Sequence, residues 1–129
     1  MSERVVLFLH SASYEAAYQA TSLGITAIAM GEEVCFVFAF DALRQLLRGT
    51  FGRPQSETEV AESARAEGLG LPAPRRMLDE AKSLGARLVV CETTLRICGF
   101  SASEAGDVLE VMGLPSIWRL TQGARVMSL

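Results

Sequence analysis

The sequence predicts an α/β fold, a three-layer sandwich in which a mostly parallel sheet of about five strands carries helices on both faces. Three observations predict it. Short apolar runs recur without alternation, the habit of strands buried on both faces of a parallel sheet. Segments of helical spacing lie between them, giving the order strand, helix, strand, helix. The chain has 129 residues and half are hydrophobic, enough for one core without disulfides or metal. Residues 1–129 therefore read as a single domain.

Each element has its own signal. Val5-Val6-Leu7-Phe8-Leu9 is the first buried strand, followed by the polar loop His10–Ser13. Ala16, Ala20, Leu23, Ala27 and Ile28 then recur at helical spacing, so a helix is expected over 14–30, with Gly31 as its stop. Val34 to Phe40 is a second buried strand, and Asp41 is the expected N-cap of a helix over Ala42–Arg48. Residues 49–73 break the pattern: Gly49, Gly52, Pro54, Gly68, Gly70 and Pro72 bracket a polar middle. Good helix formers in SETEVAESARAE allow a short exposed helix there, and 50–72 read as a mobile surface excursion. Pro74 opens another helix, with Met77, Ala81 and Leu84 as its stripe and Gly85 as its end. Arg87–Cys91 is the third strand, and Thr93–Cys98 a helix ended by Gly99. Residues 101–106 are small and polar. Val108–Met112 fits a helix or a short strand equally well. A short helix then runs to Gln122, and Ala124–Leu129 is the last strand.

Composition excludes several functions. The net charge is −3 and the pI about 5.2, which disfavours nucleic acid as a partner because phosphate binding needs a basic face. The local cluster Arg75, Arg76 and Lys82 reads as a solvated helix face. No stretch reaches the roughly 18 apolar residues of a membrane span, and the missing signal peptide points to the cytoplasm. The three cysteines, Cys35, Cys91 and Cys98, are an odd number and read as free thiols. With a single histidine, His10, they make a poor metal set. No glycine-rich phosphate loop follows a strand, so no cofactor is expected. Mean hydropathy is +0.26, a surplus that predicts a homo-oligomer.

Ligands of parallel sheets gather at the carboxyl ends of the strands. His10 with Ser11, Phe40 with Asp41, and Cys91 with Glu92 meet that rule. Cys91, between a strand and a helix, faces unpaired N–H groups, and the helix dipole favours an anion there by about 0.3–1 kcal/mol. Thiolate is the reactive form of cysteine. Cys91 is thus the candidate nucleophile, with Glu92 opposing it if its carboxylate faces the sulfur. The alternative is a small buried residue. Cys98 lies seven residues on, about 10 Å along a helix, beyond the roughly 4.4–6.8 Å that a disulfide tolerates. Cys35, inside a strand, reads as packing. His10 is either a base for Cys91 or a histidine hydrogen-bonded at a strand end.

Three segments together resemble the DsrE/DsrF-like family. GEEVCFVFAFDAL (31–43) resembles its second strand and the helix that follows. ARLVVCETTLRICGF (86–100) is similar to its pattern of buried strand, cysteine, helix and glycine, here Cys91 and Gly99. DVLEVMGLPSIWRLTQGARVMSL (107–129) is similar to its ending and favours a strand at Val108–Met112. The excursion at 49–73 departs from the pattern. The resemblance implies a small cytoplasmic subunit, typically oligomeric, in a family where several members pass sulfur as a persulfide on that cysteine and others lack it. Sulfane sulfur would pass between donor or acceptor proteins through Cys91, with His10, Ser11, Phe40 and Glu92 as substrate contacts. The rival readings are a non-enzymatic homo-oligomeric module and a small-ligand binder using the same cleft.

Overall fold

Five parallel strands, β1 (Arg4–Leu9), β2 (Glu33–Phe38), β3 (Arg87–Cys91), β4 (Glu110–Met112) and β5 (Arg125–Ser128), form one sheet in the order β4-β3-β2-β1-β5. The computed structural model describes residues 3–129. Alternate side chains of each inner strand feed two cores. In β2, Val34, Phe36 and Phe38 enter the larger one, and Cys35 and Val37 the smaller. This is why the strand reads as a continuous apolar run.

The two faces are covered unequally, and strand order explains it. From β1 to β4 every crossover steps the same way across the sheet, so right-handed connections lay their helices on one face. Those packed on the larger core are α1 (Tyr14–Ala29), α2 (Phe40–Arg48), α4 (Pro74–Ser83), α5 (Glu92–Ile97) and α6 (Ala102–Ala105). The last connection returns to the far side of β1, so α7 (Leu114–Leu120) crosses the opposite face. There it buries Ile117 on Val6, Cys35, Val37 and Val89.

Several helix faces differ from the sequence reading. The buried stripe of α1 is Tyr14, Ala17, Ala20, Thr21, Gly24 and Ala27, whereas Ala16 is half-buried and Leu23 exposed. Thr21 enters the core because its hydroxyl donates to the Ala17 carbonyl at 2.8 Å. Gly24 is there because a Cβ would lie 3.1 Å from Cε1 of Phe36 and closer still to Cζ. Asp41 is not the N-cap of α2. The helix starts two residues earlier than expected, with Ala39 in the cap position and no side-chain cap, and Asp41 pairs with Arg44 instead. In α4 the stripe is Pro74, Met77, Leu78 and Ala81, and Leu84 lies exposed beyond the helix end. Helix α6 carries a capping box between Ser101 and Glu104, too short to show any periodicity.

The excursion forms α3 (Glu57–Gly68), capped by Ser56. It has two anchors that polar composition hides. Phe51 is buried edge-on against Phe38, with ring centroids 5.8 Å apart. Glu59 accepts the backbone N–H groups of Gln55 and Glu15 at 3.0 and 3.3 Å.

Candidate functional site at the carboxyl edge of the sheet

Cys91 ends β3 and occupies the N-cap position of α5, with extended backbone. Strand alternation sends Leu88 and Val90 into the larger core, and Val89 and Cys91 toward α7. Cys91 is half-buried there, against the cluster that also gathers Phe8, Met112 and Leu120. Met112 is its register partner in β4, a neighbour that sequence reasoning missed because the β3–β4 pairing was not visible from spacing. Helix α5 has only six residues, so any field at Cys91 comes from its first free N–H groups rather than from a long dipole.

The other two thiols stand elsewhere. Cys98 packs into the larger core, so the sheet separates its layer from that of Cys91. All three cysteines are free. Cys98 has a cationic neighbour: Nη1 of Arg44 donates to its Sγ at 3.7 Å, while Nη2 holds Asp41. Nothing in the helical spacing pointed to that contact, which joins α2 to α5. Cys35 is sealed inside β2, and burial pushes its thiol up to about 11, against a smaller opposing effect from Arg87. A cavity of about 290 Å³ opens at the amino edge of the sheet between Arg4, Glu33, Cys35 and Arg87, opposite the edge that bears Cys91.

His10 and Ser11 follow β1 on the same edge as Cys91. The His10 N–H donates to the Leu129 carbonyl at 3.0 Å, its own carbonyl accepts from Ala42 at 3.3 Å, and the residue is exposed. The Ser11 hydroxyl donates to that of Ser13 and accepts the Ser13 N–H, both at 3.2 Å. The loop does not lie directly beside Cys91, as a base at His10 would require. Strand β2 stands between β1 and β3, which puts the two strand ends about 10 Å apart. Among the described residues no hydrogen bond joins His10 to Cys91. Glu92 is exposed and lines a cleft of about 560 Å³ between α5 and α6, with Arg96, Phe100 and Glu104.

Phe40 occupies the gap. It follows β2 between His10 and Cys91, is 45% exposed, and has φ of 48°, the one positive φ outside glycine among the described residues. A bulky residue in the left-handed region is strained, and such strain collects at functional edges. Phe40→Gly is therefore expected to be more stable than Phe40→Ala by about 1 kcal/mol, the reverse of their ordinary helix order. Urea unfolding of the two variants checks this, and Ala above Gly would mean that the position is unstrained.

Comparison with known proteins agrees with this architecture. Structures similar to the chain include the YchN protein of E. coli, with TM-score 0.68 and 17% identity over 100% of both chains. A second is the protein of unknown function MTH1491 from Methanobacterium thermoautotrophicum, with TM-score 0.66 and 19% identity over 99% of this chain and 100% of that one. A third is BT1422 from Bacteroides thetaiotaomicron, also of unknown function, with TM-score 0.65 and 10% identity over 98% and 95%. These likenesses concern the fold. No curated protein sequence matches the chain. The DsrE/DsrF-like family model matches residues 4–129, which is nearly the whole sequence, and the chain belongs to that family.

Proposed function

We propose that this protein is a sulfur carrier, or a sulfurtransferase subunit, that holds sulfane sulfur as a persulfide on Cys91. The observation that carries the reading is the position of Cys91: half-buried, at the carboxyl end of an inner strand, before the free N–H groups of a helix. Family membership supports it, since members of this family act in sulfur relay. The transfer is a displacement at sulfur. The Cys91 thiolate attacks the outer sulfur of a donor persulfide or polysulfide, the donor S–S bond breaks, and its electron pair leaves on the donor as a thiolate. A new S–S bond forms on Cys91 with no net oxidation, and an acceptor thiolate reverses the step. Met112, the register partner of Cys91 in β4, gives the persulfide an apolar neighbour.

Intact mass after exposure to inorganic polysulfide tests this reading. A gain of one sulfur atom that a thiol reductant removes is expected. An unchanged mass on a thiol that still alkylates would favour a non-enzymatic module. A small molecule retained through purification would favour a ligand binder.

The same layer supports a homo-oligomer. Among the described residues α7 is the sole helix on its face, and it exposes Trp118 by 74% and Leu114 by 64%, one turn apart. A self-association face there buries an aromatic anchor of the kind that interfaces use. Sedimentation at micromolar concentration should show an oligomer that Trp118→Glu disperses. A monomeric wild type would remove this part of the proposal.

A further inference from the structure

The fate of a sulfur atom on Cys91 depends on which other thiol can reach it, and the chain has three cysteines in all. Cys35 shares the α7 layer with Cys91 but stands toward the amino edge, where its register partner in β3 is Arg87. Cys91 lies four residues further along β3, so rise and strand spacing put the two Cα atoms about 14 Å apart. Cys35 is also 2% exposed, inside a central strand. Cys98 is nearer in sequence and harder to move. It packs on the larger core, across the sheet from Cys91, and Nη1 of Arg44 donates to its Sγ at 3.7 Å. Its own N–H donates to the Thr94 carbonyl, and the Phe100 N–H to that of Leu95, at 3.0 and 3.1 Å. A disulfide tolerates Cα atoms only about 4.4–6.8 Å apart. Bringing Cys98 to that range from the far end of α5 would unwind the helix and draw Leu95, 1% exposed, out of the core.

Given Cys91 as the carrier, we propose that its persulfide has no thiol of its own chain to collapse onto, so that the protein conserves sulfane sulfur until an external nucleophile removes it. The excluded step is an internal one. A second thiolate would attack Sγ of Cys91, the bond to the outer sulfur would break, and that sulfur would leave with the electron pair as sulfide, while the two cysteines became oxidised to a disulfide. With that step closed, discharge runs through attack on the outer sulfur by a nucleophile from outside, and the electron pair returns to Cys91 as its thiolate. The same separation of thiols bars the reverse entry, because no internal disulfide forms to oxidise sulfide. The chain's place is therefore after a reaction that has already made sulfane sulfur, and before one whose acceptor brings its own soft nucleophile. Reductive release of sulfide, where it occurs, belongs to the consuming reaction.

Dilute protein loaded with inorganic polysulfide, freed of excess reagent and held without thiol or air, tests this by intact mass and sulfide release. The added sulfur atom should stay on the protein for hours, to the same extent in wild type and Cys98→Ser, with no sulfide released. Cyanide added at the end should recover a full equivalent as thiocyanate and leave Cys91 a free thiol. Release of sulfide matched by a disulfide between Cys91 and Cys98, and slowed in Cys98→Ser, would overturn the proposal while leaving Cys91 the carrier. A disulfide to Cys35, slowed in Cys35→Ser, would do the same. No uptake by wild-type protein whose Cys91 still alkylates would instead overturn the carrier reading, and this proposal with it.

Discussion

Cys91→Ser is expected to take up no sulfane sulfur, while Cys35→Ser and Cys98→Ser retain uptake. Serine keeps the shape of the side chain and removes the nucleophile, so the loss should be complete rather than graded. The other thiols are excluded for different reasons. Cys35 is sealed by burial, and the same burial holds its thiol protonated to about 11. Serine there places a hydroxyl among apolar neighbours, so Cys35→Ser should cost about 1–3 kcal/mol of stability. Cys98 has the Arg44 guanidinium beside it and is the stronger rival on electrostatic grounds. Yet it sits in the layer opposite Cys91 and caps the carboxyl end of α5, where helix carbonyls disfavour an anion. Polysulfide uptake by the three variants, followed by intact mass, checks the ranking. Loss in Cys98→Ser alone would move the reactive site to the α2–α5 junction.

Phe36→Ala is expected to destabilise the fold by about 3–5 kcal/mol. Phe36 is fully buried at the centre of β2, 6.4 Å from the ring of Phe38, and its tip fills the space that Gly24 leaves on α1. The two positions should couple. In the wild type, Gly24→Ala forces a methyl into the ring, an overpacking cost of about 1–3 kcal/mol that exceeds the gain of about 1 kcal/mol in helix propensity. In the Phe36→Ala background the collision is gone, and Gly24→Ala should stabilise. Denaturant unfolding of the four proteins measures this cycle. Stabilisation of the wild type by Gly24→Ala would mean that α1 does not seat on β2 through this contact.

The three inner strands were legible in the sequence because burial on both faces writes an unbroken apolar run, and Arg87–Cys91 matches its observed bounds, whereas the short edge strand β4 was left open between helix and strand by its residues. The α1 stripe was misread because its buried face uses small residues and a threonine. Residue type at Thr21 and Gly24 carries no hydrophobic signal; the facing Phe36 ring makes Gly24 core, and the hydroxyl bond to the Ala17 carbonyl lets Thr21 be buried. The capping of α2 was misread because Asp41 is a good N-cap by type, but the chain turns into the helix at Phe40, through a strained backbone. At the candidate site, spacing located Cys91, His10, Ser11, Phe40 and Glu92 at strand ends. It could not supply strand order. That order interposes β2 between His10 and Cys91 and brings in Met112. Arg44 beside Cys98 is a contact between two helices and left no trace in local pattern.

The most direct measurement is peptide mapping of the protein after brief exposure to inorganic polysulfide, with free thiols and persulfides blocked by alkylation before digestion. The added sulfur should lie on the peptide containing Cys91, with Cys35 and Cys98 recovered as simple alkylated thiols. Sulfur found on Cys98 or Cys35 while Cys91 stays unmodified would contradict the assignment of Cys91 as the carrier.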